Sequence, residues 1–346
     1  QGFEVYGETE NITLALALNY QFAFKRNSLT APIEYRLPYG TNTSQSGLED
    51  LTPYTIYRPT YFFTHGIVVQ GSHHIEVVNN LVHHMPGEGI RFAGSDYFNC
   101  EGNEVHNNAR RSSTGVHGIS CYTLQSIDAN TAAKVFFRRN LVHDNYNELF
   151  SWSEQKTIFT AVIDEGKGLT IQRTYSANGW VNGRIRFENN IAYRNGLAGI
   201  HVNDGDRIDI VNNTVYQNNR YGSGNNLGIS AQGGNDIKIY NNIVVADLSW
   251  GGFTISKGNT TTNVVVSNNV VNGGLDTAID AIDVNTIIGD PQFINTAEYF
   301  FGLKKTSPAI GFALFAVAPA VDYYNTPRDG VATESGAVRA YCFSCP

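Results

Sequence analysis

Residues 162–173 read VIDEGKGLTIQR: two acids and a lysine around a turn glycine, then a strand that alternates apolar with polar residues. A glycine followed by a large apolar residue recurs along the chain. These junctions are Gly66-Ile67, Gly89-Ile90, Gly118-Ile119, Gly168-Leu169, Gly199-Ile200, Gly228-Ile229 and Gly252-Phe253. Each opens a short run with the period of two that is typical of a strand with one buried face. Recurrence at intervals of roughly 20–50 residues predicts a repeat architecture.

A second repeated element is an asparagine followed by an apolar pair. The aligned members are Asn80, Asn103, Asn140, Asn190, Asn213, Asn242 and Asn269. An asparagine amide both donates and accepts hydrogen bonds and tolerates the left-handed conformation, so stacked copies can bond to each other at a turn. The sequence therefore predicts an all-β fold, a single-domain right-handed parallel β-helix with capped ends and long loops beside the binding groove.

The domain organisation follows from the repeat. Residues 1–60 are predicted to form an N-terminal cap and side loop, 61–275 the regular coils, and 276–346 the last coil and a C-terminal cap. The chain of 346 residues is 42% hydrophobic, and we find no linker that divides it. Four cysteines, Cys100, Cys121, Cys342 and Cys345, permit two disulfides or buried free thiols.

Charge and hydropathy exclude several classes of partner. A net charge of −7 argues against a nucleic-acid-binding protein, and no apolar run is long enough to span a membrane. A local basic stripe on an acidic protein remains compatible with an acidic substrate. Gln1 suits the start of a processed chain, so we expect a secreted protein, and we expect it to be a monomer.

Aligning the coils on the glycine junctions places the outward side chains in columns along the stack. The column before the glycine holds His65, Glu88, His117, Lys167 and Ala198. The first outward strand position holds Val68, Arg91, Ser120, Thr170, His201 and Ser230, and the second holds Gln70, Ala93, Tyr122, Gln172, Asn203 and Gln232. Coils stack about 4.8 Å apart, so the groups around Lys167 converge on one face. The alternative is an ordinary polar surface ladder, because outward positions of any soluble β-helix are polar.

Several stretches carry a family resemblance. They include YFFTHGIVVQGSHHIEVVNNLVHHMPGEGI (61–90), GVHGIS (115–120), VIDEGKGLTI (162–171) and NGRIRFENNIAYRNGLAGIHV (182–202), with DPQF and SPAI near the end. Over roughly residues 55–330 the chain resembles secreted right-handed β-helix proteins, and most of all the β-helical alginate lyases of polysaccharide lyase family 31. The resemblance implies a lysine base and a tyrosine acid, positions that Lys167 and Tyr122 match.

The residue types fit β-elimination of an acidic polysaccharide such as alginate. A lyase removes the C5 proton of a uronate, stabilises the enolate-like carboxylate and protonates the departing glycosidic oxygen. Further catalytic candidates are His117 and His201. The expected substrate-binding residues are His65, Glu88, Arg91, Gln172, Arg173, Asn203 and Gln232. The sequence establishes no cofactor, but Ca²⁺ is a candidate, because Asp164 and Glu165 are oxygen ligands suited to it; a solvated turn is the favoured interpretation of this acidic pair.

Other functions stay open at this point. A β-helical glycoside hydrolase needs paired carboxylates, for which Asp204 and Asp206 are available. A uronate epimerase would use nearly the same base and acid as a lyase. A non-catalytic carbohydrate-binding β-helix predicts regular threonine or aromatic arrays, whereas the predicted face is chemically mixed.

Overall fold

The computed structural model describes residues 3–6, 12–14, 65–110, 115–147, 165–220, 226–247, 252–328 and 333–339. These residues form a parallel β-helix in which each coil contributes three strands, and equivalent strands of successive coils pair in parallel. The strands define three outward faces. The first and second faces belong to one 15-stranded sheet, and the third to an 8-stranded sheet.

The strands are numbered in chain order. The first face is formed by β1 (Phe3–Tyr6), β3 (Ile67–Gln70), β6 (Ile90–Ala93), β9 (Ile119–Tyr122), β12 (Leu169–Thr174), the start of β15 (Ile200–Val211), the start of β17 (Asn226–Tyr240), β19 (Phe253–Lys257) and β22 (Gly274–Leu275). The second face is formed by β2 (Ile12–Leu14), β4 (His73–Val78), β7 (Asp96–Glu101), β10 (Ala133–Arg138), β13 (Arg184–Glu188), the ends of β15 and β17, and β20 (Thr262–Ser267). The third face is formed by β5 (Leu81–His83), β8 (Glu104–His106), β11 (Leu141–His143), β14 (Ile191–Tyr193), β16 (Thr214–Tyr216), β18 (Ile243–Val245), β21 (Val270–Asn272) and β23 (Ile287–Ile288).

A short helix and a hairpin follow the coils. Helix α1 spans Thr277–Asp280 and buries Ile279 against the core, and β24 (Phe293–Asn295) pairs antiparallel with β25 (Phe300–Leu303). Short 3-10 turns cover Ser176–Asn178, Thr296–Glu298 and Phe315–Val317. The helices within the described residues are too short and polar to cross a bilayer. The division into an N-terminal cap, coils and a C-terminal cap stays a prediction, because residues 15–64 lie outside the described part.

The core runs along the inside of the coils. On the first face the inward positions stack in register as Val69, Phe92, Cys121, Ile171, Val202 and Ala231, and each is fully buried. Aromatic rings fill the wider space towards the second face, where Phe92 stacks on Phe98 with ring centroids 3.9 Å apart. Because side chains alternate along a strand, the same register sends the intervening positions outward.

The predicted asparagine column is confirmed. From Asn80 to Asn269, the backbone N–H and the Nδ2 of each asparagine donate to the Oδ1 of the next one, at 2.9–3.1 Å. All of these asparagines are buried. The ladder therefore provides hydrogen-bond acceptors for the backbone N–H groups and the side-chain amides at a turn where no strand pairing supplies them.

A second asparagine ladder was not predicted. It consists of Asn108, Asn145, Asn195 and Asn218, each five residues after a member of the first ladder. Its bonds follow the same pattern at 2.9–3.2 Å. The repeated five-residue spacing was the available sequence signal.

The glycine junction exists because a side chain has no room there. A Cβ on Gly118 would lie 2.7 Å from Cγ1 of Val142 and 2.8 Å from the carbonyl oxygen of Gly168. One predicted junction is wrong: Phe253 pairs with Asn226, and Ile255 is the residue that pairs with Ile229. The slip of two residues keeps apolar side chains on the inward face, since a strand alternates with a period of two.

Candidate functional site

The column before the glycines is continuous in the structure. Each junction glycine donates its amide N–H to a backbone carbonyl of the next coil, at 2.9–3.2 Å. The acceptor is the residue that precedes the next junction glycine. The pairs are Gly66 to Glu88, Gly89 to His117, Gly118 to Lys167 and Gly168 to Ala198. His65 accepts the backbone N–H of Glu88 at its Nδ1, 2.9 Å away. The side chains of this column therefore leave the stack at one corner of the first face.

The two predicted strand columns also have the expected register. Arg91, Ser120, Thr170, His201 and Ser230 are aligned partners, as are Tyr122, Gln172, Asn203 and Gln232. The first column is mostly buried, whereas the second is partly exposed. The polar and ionisable side chains of the first column thus form a covered inner row, and those of the second column form an accessible outer row.

Lys167 is buried at 7% exposure and its ammonium is ion-paired. Its Nζ lies 2.5 Å from Oε2 of Glu165, two residues earlier in the chain. As an ammonium held by a carboxylate, Lys167 is a positioned cation that can stabilise negative charge. Asp164, the other residue of the expected Ca²⁺ pair, lies outside the described residues. Among the described residues, no cluster of three or more histidine, cysteine, aspartate or glutamate side chains is arranged to hold a metal ion.

Both nitrogens of His117 are engaged. Nδ1 accepts the backbone N–H of Lys167 at 3.3 Å, and the side-chain Nε2 of Gln172 lies 2.6 Å from Nε2 of the ring. Burial, followed by the charges of Lys167 and Arg91, lowers the pKa of His117 well below 6.5. His117 is therefore a neutral ring that fixes the positions of its two neighbours.

His201 differs because its ring is not hydrogen-bonded within the described part of the chain. It is buried, and its Nδ1 has no partner there. Burial first, then the charges of Lys167 and His117, lower its pKa well below 6.5. A neutral imidazole has one nitrogen lone pair, so His201 offers an unengaged proton acceptor at neutral pH.

Thr170, on the strand paired with that of His201, is likewise unpartnered. It is fully covered, and its side-chain oxygen finds no hydrogen-bond partner among the described residues. An unpaired buried hydroxyl costs free energy, so its presence beside His201 favours binding of a polar ligand. The Ser120 hydroxyl of the same column is also covered but faces Glu88. The sequence analysis placed both residues in the correct column but did not select either as a site residue.

Glu88 and Arg91 form the neighbouring part of the site. Oε2 of Glu88 lies 3.5 Å from an Nη of Arg91 and 3.7 Å from Nδ1 of His65. Burial raises the pKa of Glu88 to about 7, against the lowering effects of Arg91 and the Ser120 hydroxyl. This carboxyl therefore exchanges its proton near neutral pH.

The outer row contains the predicted acid. Tyr122 is half-buried and pairs with Gln172 of the next coil, while the Arg91 guanidinium lies 5.3 Å from the centre of its ring. Lys167 lies in that same next coil, at the position paired with His117. Tyr122 and Lys167 thus come from neighbouring coils on the first face, as expected.

The remaining predicted residues lie along the edge of the site. Asn203 and Gln232 continue the outer row, and Gln232 donates to Ser230 at 3.2 Å. Arg173 is exposed at a backbone φ of +47°, at the bend beyond Gln172. The basic stripe expected from the sequence is a set of ion pairs instead, because Glu88 and Glu165 accompany the cations; buried charges need such partners.

The acids considered for a hydrolase are placed differently. Asp206 accepts the backbone N–H groups of Ser176 and Asn235, at 3.1 and 3.0 Å. Asp204 is exposed at the bend with a φ of +59°. Asp206 therefore holds a turn together, and the buried carboxyls of the first face are Glu88 and, partly, Glu165.

Comparison with known proteins supports the architecture. A family model described as the right-handed β-helix region matches residues 60–224. The fold is a right-handed β-helix. This confirms the fold class that the glycine and asparagine repeats predicted. No curated protein matches the sequence.

Three solved structures are similar in fold. The crystal structure of pectate lyase Pel9A aligns with a TM-score of 0.42 and 12% identity, over 80% of this chain and 73% of that one. The complex of XylC with xylose gives 0.43 and 13%, over 80% and 48%. A mutant of the periplasmic alginate epimerase AlgG gives 0.37 and 16%, over 65% and 47%. The β-helix thus spans less than half the length of the last two chains, and the likeness concerns the fold alone.

Proposed function

We propose that this protein cleaves an acidic, uronate-containing polysaccharide by β-elimination at the first face. The observation that carries the proposal is the covered row of Thr170 and His201, polar groups without hydrogen-bond partners among the described residues, beside the Lys167–Glu165 pair. Such a row is prepared for a polar ligand, and the cations beside it suit a carboxylate. Alginate or a related polyuronate is the first substrate to test.

The roles follow from the state of each side chain. His201, neutral and unengaged, is proposed to take the C5 proton of the uronate. Lys167 and Arg91 stabilise the negative charge that develops on the carboxylate. Tyr122 donates its phenolic proton to the glycosidic oxygen as the bond from C4 to that oxygen breaks and the C4–C5 double bond forms. His117 positions Lys167 and Gln172.

The role of Lys167 as the base stays a prediction, and one set of variants distinguishes it from the cation role. If Lys167 acts as a cation, Lys167→Arg keeps part of the turnover, while His201→Gln loses about 10²–10⁴ in rate. Lys238→Ala, on the second face, is the control cation and keeps full turnover. The assay screens acidic polysaccharides for unsaturated-uronate absorbance. If Lys167→Arg were as inactive as Lys167→Ala while His201→Gln stayed active, the base would be Lys167.

Hydrolysis is a second candidate that one observation favours. A carboxyl with a pKa of about 7, such as that of Glu88, can serve as a general acid at neutral pH. A hydrolase would release reducing ends without any unsaturated sugar. That product pattern on the same screen, with loss of turnover in Glu88→Gln, would replace the lyase proposal.

The proposal extends to where and how the protein works. A polymer of this kind is met outside the cell, so we place the protein there and expect it to act as a monomer. Gel filtration and analysis of the culture medium of the native source test these two points. A protein retained inside the cell, or one that elutes as an oligomer, would contradict them.

A further inference from the structure

A cavity of about 490 Å³ lies away from the first face, between the second face and the C-terminal segment. Its floor comes from the outward residues of β7, β10 and β13, and its wall from residues 319–321 and Asn325. The wall is fastened to the floor by hydrogen bonds, from Arg186 to the carbonyl oxygen of Val317 at 2.6 Å and from Asn189 to that of Val321 at 2.8 Å. The volume is within the range of small-ligand sites, about 300–1,000 Å³.

The cavity carries one cation in excess. Its described lining contains three guanidinium groups and two carboxylates. Glu188 is shared by Arg138, whose Nε is 2.7 Å from it, and by Arg186, while Glu101 is paired with Arg139. The ion pair of Arg138 brings Nε close to Glu188 without a hydrogen bond, and no hydrogen bond from its two terminal nitrogens is found within the described residues either. Those nitrogens remain available to a carboxylate ligand.

The lining is also partly apolar. The Arg138 guanidinium lies 3.6 Å from the centre of the Phe136 ring, which fixes its plane. Ala133, Ala320 and Val321 complete a non-polar wall. A sugar ring with one carboxylate fits this lining. Its carboxylate would bind the terminal nitrogens of the Arg138 guanidinium, and the C–H face of the ring would pack against the apolar wall. A phosphate group, with a charge near −2, would leave negative charge uncompensated.

We propose that this cavity is a second binding site for a carboxylate-bearing sugar, separate from the first face. The identity of the sugar rests on the proposed function, because a uronate polymer is the substrate expected there. A site on another face binds the polymer without cleaving it. It therefore raises the local concentration of substrate at the stack.

The test measures binding directly, without turnover. Uronate trimers and neutral trimers of the same linkage are titrated by calorimetry into the full chain. Arg138→Ala should weaken uronate binding at one site at least tenfold, because a fixed charged hydrogen-bond pair is lost. Arg138→Lys, which keeps the charge but loses the planar edge, should fall between the two, and the control Lys238→Ala should bind as the unmodified protein does.

The outcomes separate this proposal from the proposed function. Unchanged uronate binding in Arg138→Ala, equal binding of neutral trimers, or equal displacement by inorganic phosphate would overturn the second site, whatever the protein cleaves. Uronate binding that depends on Arg138, with no cleavage of any acidic polysaccharide, would support the second site and count against the lyase. A thermal melt of each variant verifies that it is folded.

Discussion

Replacing Asn242 by alanine should destabilise the coils without changing the first face. Its Oδ1 accepts the backbone N–H and the Nδ2 of Asn213, at 2.9 and 3.0 Å. Its Nδ2 donates to the carbonyl oxygen of Ile210 at 2.9 Å and to Asn269 at 3.0 Å. The side chain is fully buried, so water cannot replace these partners.

The size of the loss follows from those contacts. The backbone N–H of Asn213 would stay buried without a partner, at a cost of about 1–3 kcal/mol, and each other lost bond adds about 0.5–1.5 kcal/mol. Three other bonds are lost, so we expect the free energy of unfolding to fall by about 2.5–7.5 kcal/mol. The matched control is Asn130→Ala, which removes two hydrogen bonds from an exposed asparagine and should cost about 1 kcal/mol or less.

Two measurements check this expectation. Urea unfolding gives the midpoint and slope for each variant, and hydrogen exchange followed by mass spectrometry reports the amide of Asn213 locally. Asn242→Ala should lower the midpoint with little change in slope and remove protection around residues 210–216. A loss no larger than that of Asn130→Ala, or unchanged protection there, would refute the assignment of stability to the ladder.

Two further predictions concern ionisation and thiols. Burial is the main cause that lowers the pKa of His84, His106, His117 and His201 below 6.5, so the unfolded chain binds protons more readily than the folded one below that pH. The free energy of unfolding should therefore fall as the pH drops below about 6.5. The free energy of unfolding is measured against pH in the Glu88→Gln variant, because the raised pKa of Glu88 would increase stability as the pH falls from about 7 to 4.5. A profile that stays flat below pH 6.5 would contradict the prediction. Cys100 and Cys121 are free, buried thiols whose pKa burial raises, so peptide mapping should find them alkylated only after unfolding; labelling in the native protein would refute this.

The register of the site could be predicted from sequence because it depends on local rules. A glycine that has no room for a Cβ and an asparagine that bonds to its copy fix each coil against the next. Alternation then assigns each strand side chain to the inside or the outside. The slip at Phe253 escaped this reasoning, because a two-residue shift leaves the alternation unchanged.

The electrostatic state of the site could not be predicted in the same way. The Lys167–Glu165 pair depends on how one corner of a coil folds, and the alternation pattern does not describe corners. The contacts that fix both nitrogens of His117 join residues 50 and 55 positions apart. The second-face cavity depends on a C-terminal segment more than 130 residues away from the strands that it covers.

The fixed spacing between coils makes the charges of the first face interdependent. The backbone bonds that join successive coils prevent Lys167 from moving away from His117 and His201, and its charge helps to lower the pKa of both rings. Lys167→Ala would therefore remove a cation and also ease protonation of the proposed base, so its loss of activity has two causes. Lys167→Arg keeps the charge that, after burial, contributes to the lowered pKa of His201. For this reason the arginine variant, and not the alanine variant, distinguishes the two roles of Lys167, a cation that stabilises negative charge and a general base that accepts the C5 proton.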